Sequence, residues 1–367
     1  MATNATVIRP LTQLDAEECQ QRIRAAKQAL GERVVILGHH YQRDEVFQHA
    51  DYSGDSLRLS RLAARSHAEY IVFCGVHFMA EVADVLSQPR QQVILPSLAA
   101  GCSMADMANL ARVERAWQEL TQMLGDADHH ITPVTYINSA ADLKAFCGRH
   151  GGIVCTSSNA RQILGWSFAR RDKILFFPDQ HLGRNTAYGM GIPLDEMVVW
   201  DFDLPDGGLS AEQVKKAKMI LWKGFCSVHQ MFEPEHIERF RAKYPEGLVI
   251  SHPEASFEVC QLSDYVGSTE YIINTIVDAE PGTRWLVGTE LNLVNRLHER
   301  VKHQGKQVHF MATTISMCST MFRTDPPSLM KVLEALVEGR VINRIKVPDQ
   351  EAAQARLGLQ RMLEIGA

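Results

Sequence analysis

The sequence predicts an α/β protein: three homologous three-layer α/β/α domains with parallel sheets, arranged around a pseudo-threefold axis. Three observations predict this. Strand-like apolar runs alternate with helical spacing along the chain, the pattern of the first third recurs in the last third, and three Cys-Ser dipeptides close corresponding segments.

Ten runs read as strands, in chain order "RVVILGHHYQ", "AEYIVFCGVHF", "QQVILPSLAAGC", "HITPVTYINS", "GGIVCTSSN", "DKILFFPDQH", "MILWKGFC", "GLVISHPEAS", "TRWLVGTELN" and "QVHFMATTISMC". Each is short, apolar, and ends abruptly in Gly or polar residues. Between them, segments such as "DSLRLSRLAARS" and "LNLVNRLHERVKHQ" carry helical spacing. Such alternation argues for parallel strands covered by helices. Ligands then bind beyond the carboxyl ends of the strands, which makes the polar residues there the candidate site.

The long-range repeat sets the domain organisation. His39 and His252 stand 213 residues apart (252 − 39), and the same offset relates Asp51 to Asp264, Gly54 to Gly267 and Gly75 to Gly288. The middle third follows the same order with looser spacing. The expected domains are residues 1–112 with an N-terminal helix, 113–236 with an insertion near 183–208, and 237–367 with a C-terminal helical tail. Each core copy is about 100 residues long, an ordinary domain size.

Composition narrows the function. The 367 residues are 46% hydrophobic and 22% charged, and the net charge is −5 with Lys and Arg scattered, which leaves no basic face for nucleic acid. The opening "MATNATVIRPLTQLDAEECQ" lacks the basic start and apolar core of a signal peptide. No apolar run approaches the roughly 20 residues of a membrane span. The expectation is a cytoplasmic protein without nucleic-acid or membrane partners, whose eight cysteines form no disulfide framework. Cys74 and Cys155 read as small hydrophobes on strands.

Cys226, in "GFCSVHQ", has no second cysteine at zinc or redox spacing nearby. Its equivalents are distant: Cys102 in "AGCSMAD" and Cys318 in "SMCSTMF" hold the same place in their copies. If the copies pack around an axis, three thiols meet at one point. Three readings of that point remain open. One is a cubic iron–sulfur cluster with three cysteines and one open iron. Another is zinc, short of the four ligands of a structural site. The third is three buried thiols that only fill space.

The motifs "ILGHHYQ", "GDSL", "GVHFMAE", "YINS", "CTSSNA", "WKGFCSVHQ", "HPE", "DYVGST" and "VGTE", in this order from about residue 34 to 320, resemble those of the quinolinate synthase family. The resemblance covers nearly the whole chain. It implies three α/β domains around a central 4Fe–4S cluster, held by Cys102, Cys226 and Cys318 with one iron left open. It further implies a transferase-type synthase of NAD biosynthesis that condenses iminoaspartate with dihydroxyacetone phosphate, releasing phosphate and water. Functional coupling to the L-aspartate oxidase that supplies iminoaspartate goes with it.

Carried over residue by residue, the resemblance makes Tyr41, His252 and Glu254 the acid–base groups. His39 and Ser56 would bind the iminoaspartate carboxylate, and Tyr136 with Asn138 would grip substrate carboxylates. His252 and Glu254 would serve the carbonyl substrate. They are expected on an extended segment, where residues two apart face one way. Ser56, Ser157, Ser268 and Thr269 sit in loops entering helices, where N–H groups and hydroxyls suit anions. Read alone, each is equally an ordinary helix cap. His229 and Glu290 are expected as supporting positions.

Phe225 stands where many relatives have His, Ala255 where some have Cys, and "TTISMCSTM" holds a single cysteine, which argues against a disulfide switch. An iron–sulfur sensor or scaffold, a zinc enzyme of the same fold and a plain metabolite-binding module are the competing readings.

Overall fold

Each of the three sheets repeats one strand order, and that order brings the carboxyl ends of their first strands to a common centre. The structure, a computed structural model, describes residues 16–314 and 316–365. The first sheet contains β1 (Val34–His39), β2 (Tyr52–Gly54), β3 (Tyr70–Cys74) and β4 (Gln92–Ile94). The second contains β5 (Ile131–Tyr136), β6 (Ile153–Cys155), β7 (Lys173–Phe177), β8 (Met197–Trp200) and β9 (Met219–Trp222). The third contains β10 (Leu248–Ser251), β11 (Tyr265–Val266), β12 (Arg284–Gly288) and β13 (Gln307–Phe310). Their orders are β2-β1-β3-β4, β6-β5-β7-β9 and β11-β10-β12-β13, parallel throughout, so all three share one topology. All ten sequence-predicted strands form.

The repeat is physical as well as textual. Asp51 accepts the Ile36 N–H at 2.8 Å, and Asp264, 213 residues on, accepts the Val249 N–H at 2.7 Å. Each carboxylate also meets a cation from the helix before its first strand, Lys27 at 2.6 Å and Arg241 at 2.9 Å. β1 pairs Leu37 with Tyr52, and β10 pairs Ile250 with Tyr265, the same register under the same offset. The third strands differ: Gly38 faces Cys74 but Ser251 faces Gly288, a slip of one residue. Sequence offset alone hides that slip.

Each first strand continues into a short loop and a helix, as βα units require. The helices Ser56–Arg65, Ala160–Phe168 and Thr269–Asp278 follow the second strands. The stretch 183–208 supplies β8, which lies outside β9 as a fifth strand. No helix among the described residues is long and apolar enough to cross a membrane.

The chain beyond Cys318 leaves the third sheet. Helix Pro326–Val337 packs on helix Ala16–Leu30, with Leu329, Leu333 and Ile23 buried together and Arg22 donating twice to Glu334 at 2.8 and 2.7 Å. β14 (Arg344–Ile345) pairs antiparallel with β4. Helix Asp349–Ile365 lies against helix Ala141–Arg149 and β6 of the second sheet. The tail assigned to the third domain is therefore spread over the first two sheets. Residues 1–15 and 366–367 of the expected domains lie outside the described residues.

Contact between the last helix and Ala141–Arg149 is so close that a Cβ on Gly148 would stand 2.0 Å from the Gln354 carbonyl oxygen. Gly148→Ala is expected to destabilise the protein by about 1–3 kcal/mol, the cost of overpacking. Urea unfolding of the variant against the parent measures it; an unchanged midpoint would contradict the packing described.

Candidate active site and thiol centre

A cavity of about 60 Å³ lies just past the carboxyl ends of β1, β5 and β10. Each unit lends it one set of side chains. The first gives His39, Tyr41, Ser56 and Cys102; the second gives Tyr136, Asn138, Ser157 and Cys226; the third gives His252, Glu254, Thr269 and Cys318. Of the residues expected to bind substrate, Ser268 alone is not on the wall. Its hydroxyl accepts the Tyr271 N–H at 3.3 Å, as an N-cap does.

At the other two helix entries, neighbours of the expected serines take the local hydrogen bonds: one caps its helix and the other ties back the preceding loop. Asp55 caps Ser56–Arg65 by accepting from Arg58 N, and its second oxygen accepts from Ser158 of the second unit at 2.5 Å. Asn159 Oδ1 accepts from Thr156 at its amide (2.8 Å) and its hydroxyl (3.0 Å). Ser56 and Ser157 are thereby free to turn toward the cavity. Asp55, Thr156 and Thr320 also line it, and sequence reasoning passed over all three.

His252 and Glu254 do not lie on an extended segment. They span a turn, with Ala255 N donating to the His252 carbonyl at 3.0 Å. Both side chains still reach the cavity, because the turn folds Glu254 N back to within 3.4 Å of His252 Nδ1. From the second unit, the Asn185 amide donates to the Pro253 and Ala255 carbonyls at 2.9 Å each and holds this turn from outside. Nothing in the local sequence around Asn185 announces that contact.

Glu254 joins the units electrostatically. Tyr136 Oη donates to its Oε1 at 2.6 Å, His229 Nδ1 lies 3.0 Å from its Oε2, and His252 Nδ1 lies 3.8 Å from Oε1. Burial alone would raise this carboxyl, but the His252 and His229 rings and the Tyr136 hydroxyl outweigh it and hold it down at about 2. Burial pushes His39 and His252 down to about 3, so both imidazoles are neutral near pH 7. His39 Nδ1 accepts the Tyr41 N–H at 3.1 Å, which leaves the proton on Nε2. Tyr41 Oη meets Thr289 Oγ1 at 2.9 Å.

The three thiols share a local frame. At each sulfur the backbone N–H three residues on, of Ala105, His229 and Met321 respectively, works against burial in favour of the thiolate, and Cys318 Sγ also meets Thr320 Oγ1 at 3.3 Å. All are free of disulfides. Burial raises all three, Cys102 to about 12. A thiolate here thus needs a cation beside it, and the repeated N–H donor suits a sulfur carrying negative charge.

Sulfurs around one zinc at about 2.3 Å lie roughly 3.8 Å apart. Among the described residues, the triad whose ligand atoms approach within 4.8 Å of one another is Cys226, His229 and Glu254, not the three cysteines. The three sulfurs are thus not gathered around one point as ligands of a single zinc would be. Glu290, fully buried, accepts the Cys318 N–H at 3.4 Å and two more donors from Asn292, which keeps the Cys318 loop in place.

Such a chamber, walled by three α/β units and furnished with acid–base groups, belongs to an enzyme that works on small molecules. Its family follows from comparison with known proteins. Residues 21–364 match the family model described as quinolinate synthetase A protein, and the chain belongs to that family. A quinolinate synthase of Acidobacterium capsulatum is 56% identical over 345 residues, covering 94% of this chain and 92% of the relative. Another from Herpetosiphon aurantiacus is 55% identical over 353 residues, covering 96% and 94%. A third, from Rhodopirellula baltica, is 50% identical over 370 residues.

Acid stability tests the electrostatics. The unfolded chain binds protons at His39 and His252 below pH 6.5 that the folded protein refuses until about pH 3, so stability is complete above 6.5 and falls as pH drops. Glu254, depressed from 4.5 to about 2, adds to the loss at lower pH. Urea midpoints of metal-free protein are expected to decline between pH 7.5 and 5, and His39→Asn to flatten the slope. A pH-independent midpoint would show these rings charged in the folded state.

Proposed function

We propose that this chain is a quinolinate synthase, condensing iminoaspartate with dihydroxyacetone phosphate to give quinolinate, phosphate and water in NAD biosynthesis. The observation that carries the proposal is the cavity itself, where each unit supplies one thiol with the same backbone donor beside a different set of acid–base groups. Family membership and relatives of the printed name quinolinate synthase support the same reading.

Cys102, Cys226 and Cys318 would hold a 4Fe–4S cluster. When bound, a three-cysteine cluster supplies one open iron as a Lewis acid toward a substrate oxygen or nitrogen. The chain's own residues account for binding and proton movement. Among the described residues no Lys or Arg lines the cavity, so the anionic substrates would be met by the Ser56, Ser157 and Thr269 hydroxyls, by the Asn138 amide and by helix N-termini. His39, with Nδ1 engaged, offers its Nε2–H to a carboxylate.

Glu254 and His252 would divide the proton work. As an ionised carboxylate, Glu254 takes the proton from the carbon beside the ketone, while His252 donates to the carbonyl oxygen during enolisation. The same pair returns protons as imine formation and dehydration expel water. Tyr41, kept neutral by burial and held by Thr289, serves as the acid for a leaving hydroxyl. Tyr136 steadies Glu254 through its 2.6 Å hydrogen bond.

Protein purified without air is expected to be brown, with about four irons and four sulfides per chain. Cys226→Ser should lose colour and turnover together. Glu254→Gln should keep its iron while turnover falls about 10²- to 10⁴-fold. A colourless, metal-free preparation that still makes quinolinate would refute the proposal.

A further inference from the structure

We propose that Cys226, His229 and Glu254 form a site for a single divalent cation of the zinc class in the cluster-free protein, and that this cation and the cluster exclude each other. The three ligand atoms lie within 4.8 Å of one another. His229 is 1% exposed, yet neither ring nitrogen has an aligned hydrogen-bond partner, although Nδ1 stands 3.0 Å from Glu254 Oε2. An imidazole so deeply buried and unsatisfied is costly unless something else occupies it.

The local structure makes the triad compact. Cys226 and His229 are three residues apart at the entry to the one-turn segment His229–Met231, and Glu254 arrives from the turn after β10. Two elements of the second and third units are thus joined by one ion. A thiolate, an imidazole and a carboxylate select zinc-like cations over magnesium or calcium. The ion with one thiolate and one carboxylate is electrically neutral, which favours it in an interior from which water is largely excluded. A fourth position stays open, as in catalytic zinc sites.

Binding displaces the Cys226 thiol proton to solvent and changes no oxidation state, so one proton leaves per ion bound. Because Cys226 is common to both centres, a zinc-loaded chain lacks one of the three cluster ligands. Only this exclusion rests on the proposed cluster; cation binding itself does not.

The test uses the full chain stripped of metal under anaerobic conditions and titrated with Co²⁺, then Zn²⁺. One Co²⁺ per chain, with a thiolate charge-transfer band and intense four-coordinate visible bands that Zn²⁺ abolishes, is expected. Cys226→Ser and His229→Ala should lose those bands, whereas Cys102→Ser and Cys318→Ser should keep them at full stoichiometry. Loss of the bands in either of the latter two variants would move the site to the cysteine trio and overturn the assignment, as would their survival in His229→Ala. Zinc-loaded protein should fail to take up iron and sulfide until a chelator removes the zinc. Uptake with zinc retained would overturn the exclusion, while the iron content of zinc-free protein separately judges the cluster.

Discussion

Removal of water from one interior chamber is the constraint on which this structure turns. No single unit can enclose it. Each brings a strand end, a helix entry and one sulfur, and the polar groups they bury become tolerable only when the units satisfy one another. Tyr136 of the second unit donates to Glu254 of the third; Ser158 of the second donates to Asp55 of the first; Tyr41 of the first meets Thr289 of the third. The same desolvation keeps the imidazoles neutral and the thiols protonated until a cation or an anionic ligand arrives.

Symmetry and asymmetry are divided between backbone and side chains. The strand order, the helix entries and the amide that meets each sulfur are threefold. The wall is not: the first strands end in His-x-Tyr, Tyr-x-Asn and His-x-Glu at 39–41, 136–138 and 252–254. A symmetric frame can hold a central group evenly. An uneven wall can tell two partners apart and assign different protons to different groups.

Much of this was legible in the sequence, because repeats and periodicity act over many residues. Ten strands and the 213-residue offset survive as read, and the three cysteines, one per unit, line one cavity. What escaped depended on contacts between distant segments. β14 is two residues long and carries no periodic signal; it exists because β4 offers a free edge. β8 hid within a stretch read as an insertion. Asp55, not Ser56, caps the first of the three helices by accepting from Arg58 N, and Asn159 turns back to Thr156 instead of capping the second. Neither the approach of His229 to Glu254 nor the grip of Asn185 on the turn at 252–255 could be read locally. Each joins residues 25 or more positions apart across units.

The wandering tail carries a consequence for biogenesis. Residues beyond 325 complete surfaces built by residues 16–155: a helix flank, a sheet border and a groove beside Gly148. During translation the first two units therefore emerge with those surfaces bare and wait while the third is made. Closure of the earliest segments is left to the latest ones, so nascent chains of this protein spend most of their synthesis with exposed apolar flanks, a stage at which holdase chaperones have something to grasp.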